Sequence, residues 1–269
     1  MKKLLFGVFA LCSAVLFAES LVLTPENCVI KPYKNSGTAE YKDGAWIISG
    51  PVQILSKEKI AVDETKKYRL SGTVKAVDGT EPATLCIGFA PQTAQGQVIA
   101  GMHLLKVDKS YGTLVEAVKP GDTVLKVRPD AEDGAAWSKP VTGCHVALDA
   151  KKDLSDLPNF RLGINVRKSE VVDGVQVLTL AYKLSYAMPA GTMVRLHRGG
   201  GDSMHSAFRG KKYTDQPMFF AGTVTGRTMG WNYNVWPVNA ADCRVQVLAN
   251  WVAPASKVEV RDLKLDILP

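Results

Sequence analysis

Apolar and polar residues alternate with a period of two along most of this chain, and almost nowhere with the 3.6-residue period of a helix. The clearest run is Lys67-Tyr-Arg-Leu-Ser-Gly-Thr-Val-Lys-Ala76, in which Tyr68, Leu70 and, past Gly72, Val74 are candidates for a buried face. Strands are also predicted at 44–48, 84–89, 123–127, 145–148, 161–166, 175–180, 193–197, 218–224, 243–248 and 257–265, where β-branched and aromatic residues dominate. Between them stand turn-forming clusters such as Lys119-Pro-Gly-Asp122, Asp130-Ala-Glu-Asp-Gly134, Pro189-Ala-Gly191 and Gly199-Gly-Gly-Asp202. Many short strands at turn-like spacing predict an all-β sandwich or barrel. The stretch at about 103–159 is too long for one sandwich loop, so a β-rich insertion is expected there.

The first residues break the pattern. Met1-Lys2-Lys3, the apolar stretch 4–17 and the small Ala18 before Glu19-Ser20 have the order of a secretory signal. That apolar stretch is short against the roughly 18 to 20 residues a bilayer-spanning helix needs. The expectation is a cleaved signal peptide over 1–18 and a sandwich domain over 19–269, secreted or periplasmic, with no stable membrane insertion once the signal is removed. The absence of an Asn-x-Ser/Thr sequon agrees with a bacterial origin.

Charge narrows the partners. The chain has 33 Lys and Arg against 26 Asp and Glu, and two of the lysines lie in the leader. The remaining basic excess is mild and interspersed, no Lys/Arg block occurs, and export makes nucleic acid an unsuitable partner. An anionic polysaccharide or cell-envelope surface suits a basic exported protein, as does ordinary solubility. Cys28, Cys86, Cys144 and Cys243 lack the close paired spacing of a zinc site. Disulfides, which an oxidising compartment permits, and buried free thiols both remain open. Asp149, Asp153 and Asp156 could supply oxygen ligands to a structural calcium or could cap a solvated turn. No other cofactor is expected.

The run Lys67-Tyr-Arg-Leu-Ser-Gly-Thr-Val-Lys-Ala76, together with Cys243-Arg-Val-Gln-Val-Leu-Ala-Asn-Trp251 and Lys257-Val-Glu-Val-Arg-Asp-Leu-Lys-Leu265, resembles the galactose-binding-like jelly rolls of secreted bacterial carbohydrate-binding modules. The likeness is to the broad family 4/9-like group. It implies a jelly-roll-like β-sandwich with the β-rich insertion, in which aromatic rings stack on sugars while amides and guanidinium groups bond the hydroxyls.

Two clusters fit that chemistry. In Gly230-Trp-Asn-Tyr-Asn-Val-Trp-Pro237, an extended segment would put Trp231 and Tyr233 on one side and Asn232 with Asn234 on the other, ahead of Trp236. The competing reading has Trp231 or Trp236 plugging the end of the sandwich. In Arg195-Leu-His-Arg198, alternation puts Arg195 and His197 on one face. With Arg198, Arg209, Lys211 and Lys212 near a triple glycine, this cluster could bind a uronate or sulfate, or form a basic hairpin tip. Trp46 and Trp251 are expected in the core, and Trp137 is either exposed or covers the insertion.

Enzyme readings have less support. Gly201-Asp202-Ser203-Met204 is similar to the nucleophile block of GDS-type lipases, but the only histidine downstream is His205, two residues on. Asp43, Glu64, Asp149 and Glu259 are available for glycoside hydrolysis, and Arg195 with His197 for a lyase, without any pair standing out. The function expected is therefore non-catalytic carbohydrate recognition, with a structural or adhesion role, or a polysaccharide hydrolase or lyase, as alternatives.

Overall fold

The computed structural model describes residues 19–33, 36–77, 79–210, 213–250 and 255–269; the expected signal over 1–18, Lys211, Lys212 and Trp251 lie outside them. The chain first forms β1 (Glu19–Val22), β2 (Cys28–Pro32), β3 (Thr38–Lys42), β4 (Ala45–Ser49), β5 (Val52–Ser56), β6 (Ile60–Ala61), β7 (Lys67–Ala76) and β8 (Leu85–Gln92). It then passes through β9 (Lys106–Leu114), β10 (Val124–Pro129), β11 (His145–Leu148), β12 (Leu162–Gly163), β13 (Val166–Val172), β14 (Val175–Leu180) and β15 (Met193–His197). It returns through β16 (Met204–Gly210), β17 (Met218–Val224), β18 (Arg227–Thr228), β19 (Trp236–Pro237), β20 (Asp242–Ala249) and β21 (Lys257–Leu268).

Two antiparallel sheets built from the first and last groups face each other as a jelly-roll-like β-sandwich. One has the order β17-β7-β21-β4-β3, with β1 beside the end of β21; the other has the order β16-β8-β20-β5-β2, with β6 beside the start of β20. The period-two pattern buries one side of each strand. Tyr68, Leu70 and Val74 of β7, Trp46 and Ile48 of β4, and Val258 and Val260 of β21 meet Ile54 of β5, Ile87 and Phe89 of β8, and Val245 and Val247 of β20. Each large side chain removed from water in this way contributes about 1.5–3 kcal/mol. The polar tips are satisfied: Tyr68 donates to Ala61 O at 2.7 Å and accepts from Asp63 N, and Trp46 Nε1 donates to Leu23 O at 2.9 Å. The β3–β4 turn is Asp43-Gly44, with both φ values positive at 51° and 77°. That geometry matches the twist of a two-residue hairpin and favours this residue pair.

The third sheet, β12-β11-β15-β9-β10-β14-β13, is the insertion, and it runs over 106–197. The expected limit near residue 159 is therefore corrected. β13, β14 and β15 read as strands in the sequence, but alternation does not say which sheet a strand joins, and here they pair with one another and with β9, β10 and β11. The sheet curls until its ends meet: Val166 N donates to Cys144 O and Gly143 N to Val166 O, each at 2.8 Å. It encloses a separate core that includes Leu125, Val127, Val146, Leu178 and Val194, with Trp137 buried over it.

A small third core, Ile99, Leu104, Leu157 and Ala240, joins the insertion to the sandwich. Among the described residues Cys28, Cys86, Cys144 and Cys243 are free thiols, and all but Cys144 are buried. Among the described residues no helix is long and apolar enough to cross a membrane.

Candidate functional site

The outer face of the β16-β8-β20-β5-β2 sheet forms a groove whose floor follows from register. Cys243, Val245 and Val247 point into the core, so Arg244, Gln246 and Leu248 project from the opposite face of β20. Directly opposed residues share a face. Lys31 pairs with Gln53 and Gln53 with Leu248; Val29 pairs with Leu55 and Leu55 with Gln246. Two parallel rows therefore cross β2, β5 and β20, each mixing an apolar side chain with an amide, and Arg244 begins a third row beside Ala90 of β8.

The walls come from outside the sheet. Tyr33 and Pro32 close the end beyond β2, Gln92 and Val98 stand at the far side, and Asp202 enters from the glycine-rich loop between β15 and β16. The two cavities so formed, of about 410 and 330 Å³, are contiguous through Lys31, Gln53, Asp202 and Gln246. The loop can lie this close because Gly88 and Gly200 have no Cβ. A Cβ at Gly88 would collide with the Met204 carbonyl, and one at Gly200 would sit 2.7 Å from Gly101 Cα. Gly101 N donates to Gly201 O at 2.7 Å, and Ser203 Oγ donates to Gln246 Oε1, which sets the direction of that buried amide. Arg244 is held by a hydrogen bond from Nη1 to Ser56 O at 2.7 Å. The groove thus presents the Gln53 amide, two cations, one carboxylate and apolar strips on a rigid floor, with Gln246 buried at its base.

The residues singled out in the sequence lie elsewhere. Trp236 is fully buried in the sandwich core, its ring 5.1 Å from those of Tyr68 and Phe89. It is a core residue and not a sugar platform, because β19 lies in parallel beside β18 and turns its tryptophan inward. Trp231 and Tyr233 share a side as expected, but the segment is a tight turn closed by an Asn232–Val235 bridge, not an extended platform. Trp231 packs against both the sandwich and junction cores. The Tyr233 ring stacks on His205 at 5.7 Å and carries the Arg209 guanidinium at 5.0 Å. Asn232 and Asn234 are exposed but engaged: Asn232 Oδ1 accepts from Asn234 N, and Asn234 Nδ2 donates to Thr223 O at 3.0 Å.

Arg195 and His197 do share one face of β15, yet that face is buried. Arg195 pairs with Asp156 at 2.8 Å, donates to Tyr111 Oη and Lys151 O, and bonds His197 Nε2 at 3.1 Å. His197 Nδ1 lies 2.8 Å from Met102 O. A carbonyl only accepts and a guanidinium only donates, so the proton sits on Nδ1 and the imidazole is neutral. Burial, reinforced by the Arg195 charge, pushes its pKa down to about 4. The pair is therefore structural and unavailable to a ligand. Arg198, one residue on, is exposed and lines a separate cavity with Val107, Lys109 and Cys144.

The aspartates are likewise committed. Asp149 pairs with Lys151 and Arg161, Asp153 accepts from Ser155, and Asp156 holds Arg195. Among the described residues no group of three potential metal ligands converges. Ser203 bonds Gln246 and not His205, and Glu64 and Glu259 are ion-paired on separate elements.

No protein-family model matches the chain, and no curated protein matches it. Among solved structures, the chain is similar to the CBM22-1 xylan-binding domain from Paenibacillus barcinonensis Xyn10C, at 7% identity and a TM-score of 0.35, over 91% of this chain and 88% of that one. It is also similar to peanut lectin bound to a nine-residue peptide, at 11% identity and a TM-score of 0.32, over 94% of this chain and 98% of that one.

Proposed function

We propose that this protein is an exported, non-catalytic carbohydrate-recognition module of the galactose-binding-like kind its strands resemble, and that its ligand lies in the groove on the outer face of the second sheet. The observation that carries the reading is the register that sets the partly exposed amide of Gln53 in one row with Lys31 and Leu248, beside Val29 and Leu55 in the next row and over the buried amide of Gln246. A sugar ring has apolar C–H faces and hydroxyl edges that both donate and accept. Amides supply both functions from one side chain, and the aliphatic strips and the Tyr33 ring at the groove's end cover the C–H faces. Side chains standing on strands lose little freedom when a ligand binds. Lys31 and Arg244 outnumber Asp202 among the lining residues, so the preferred ligand is an acidic polysaccharide held by charge-assisted hydrogen bonds.

The test is binding of the purified protein to a panel of neutral and acidic polysaccharides, with Gln53→Ala and Arg244→Met variants whose folding is verified by circular dichroism. Gln53→Ala weakens binding about tenfold. Arg244→Met flattens the salt dependence of binding to the acidic members. Wild-type affinity in both variants removes the site, and a well-folded protein that binds no glycan turns the reading toward an adhesion or structural role.

A further inference from the structure

The groove does not end in a wall of core residues. Its far side is the turn 93–98, which is braced by its own bonds: Thr93 N donates to Gln97 O at 2.9 Å and Gly96 N to Thr93 O at 2.8 Å. Val98 faces back into the groove, whereas Gln95 and Gln97, both exposed, line a second depression between the sandwich and the insertion. That depression consists of cavities of about 810 and 420 Å³, contiguous through Gln97, Ser155, Asp156, Pro158 and Phe160. One turn therefore separates two hollows, and side chains of the same segment serve both.

The second hollow shares the amide and apolar chemistry of the first. Gln95, Gln97 and Asn239 supply amides, Ser155 a hydroxyl and Phe160 a ring, while its charges are already paired, Arg161 and Lys151 with Asp149, Arg227 with Glu64 and Asp156 with Arg195. It is also preformed. Asn239 Nδ2 donates to Leu157 O at 3.0 Å and ties the sandwich to the insertion across its base, while Tyr186 Oη donates to Phe160 O and Arg195 fixes Asp156. The floor of the first hollow already crosses from β2 to β8, three strand spacings or about 14 Å. A single sugar would leave most of this surface uncovered.

We infer that the ligand is an extended polysaccharide bound along its chain, running from Tyr33 through the groove, over the 93–98 turn and into the cleft beside Phe160, so that the insertion supplies additional sugar subsites. This inference rests on the recognition reading of the groove. It gives the insertion a role in binding, because one side of the cleft is built from residues of the 149–161 segment and Tyr186.

The test is calorimetry on the full protein with oligogalacturonates and xylo-oligosaccharides, from disaccharide to decasaccharide, alongside a Gln95→Ala/Gln97→Ala double variant and Gln53→Ala. The double variant alters two exposed side chains on a turn whose bonds are made by backbone and Thr93, so it remains folded. Affinity of the series that binds should rise with length past the tetrasaccharide. The double variant should lower decasaccharide affinity about tenfold and leave the disaccharide unchanged, while Gln53→Ala weakens both. Length-independent affinity, or a double variant with wild-type decasaccharide binding, overturns the extended track and leaves the groove standing. Absence of binding for both series and their parent polymers overturns the groove and the track together.

Discussion

His197 illustrates how one side chain can be read correctly for position and wrongly for role. Its neighbours on β15 predict which face it shares with Arg195, and that prediction holds. Exposure, however, depends on the 149–157 segment folding over that face, which the alternation within β15 does not record. Held neutral between Arg195 and Met102 O, the ring resists protonation until about pH 4, and His103, half-buried nearby, does the same. Unfolded histidine takes up its proton near pH 6.5. Between these values the unfolded chain binds more protons than the native one, so stability is complete above about pH 6.5 and falls as the pH drops toward 4. The expected loss is on the order of 3 kcal/mol for His197, seen in urea titrations as a falling midpoint that begins above the range where carboxylates titrate. A midpoint constant from pH 7 to 5 would contradict the buried neutral ring.

At the scale of elements, strands were the legible feature. β7 occupies the predicted run 67–76, and β11, β14, β15 and β17 fall where alternation placed them. Less legible was the 231–236 segment, where a turn and a two-residue parallel pairing replace an extended strand. Trp236 then becomes a central piece of the core instead of a ligand platform. Trp236→Ala should cost about 3–5 kcal/mol in chemical denaturation, from lost burial and the cavity left against Tyr68 and Phe89. The groove residues Lys31, Gln53, Arg244 and Gln246 had a sequence signal only in part. Each is polar opposite a core position, but so is any solvated strand residue, and their convergence exists only once β2, β5 and β20 are in register.

At the scale of the whole molecule, the buried Arg195–Asp156 pair organises the segment that joins insertion to sandwich. Arg195 lies at 0% exposure, and the Asp156 loop leads directly into Leu157, which packs on Ile99, Leu104 and Ala240. Asp156→Asn should destabilise the protein by about 3–5 kcal/mol, because it leaves an uncompensated buried guanidinium. Equilibrium unfolding measures this directly, and a loss under about 1 kcal/mol would show that the junction does not depend on the pair. The cysteines give a separate check on the whole fold. Among the described residues the four cysteines are free thiols and Cys144 alone is partly accessible, so a thiol reagent should modify one of these four in the native protein and the others only in denaturant. Burial holds Cys28 at a pKa of about 11, which suppresses its thiolate further.

By itself the sequence determined the all-β class, the positions of most strands and the inward side of each, because these follow from a two-residue period that any stretch of chain displays locally. It also located an insertion, though not its extent. The tertiary structure alone decided which strands share a sheet, that Arg195 and His197 are covered, and that Gln53, Gln246, Lys31 and Arg244 form one surface. Those outcomes depend on pairing between residues far apart in the chain, such as Gln53 with Leu248 and Glu19 with Ile267. Period and composition describe one strand at a time, whereas a groove is a property of several strands held in register.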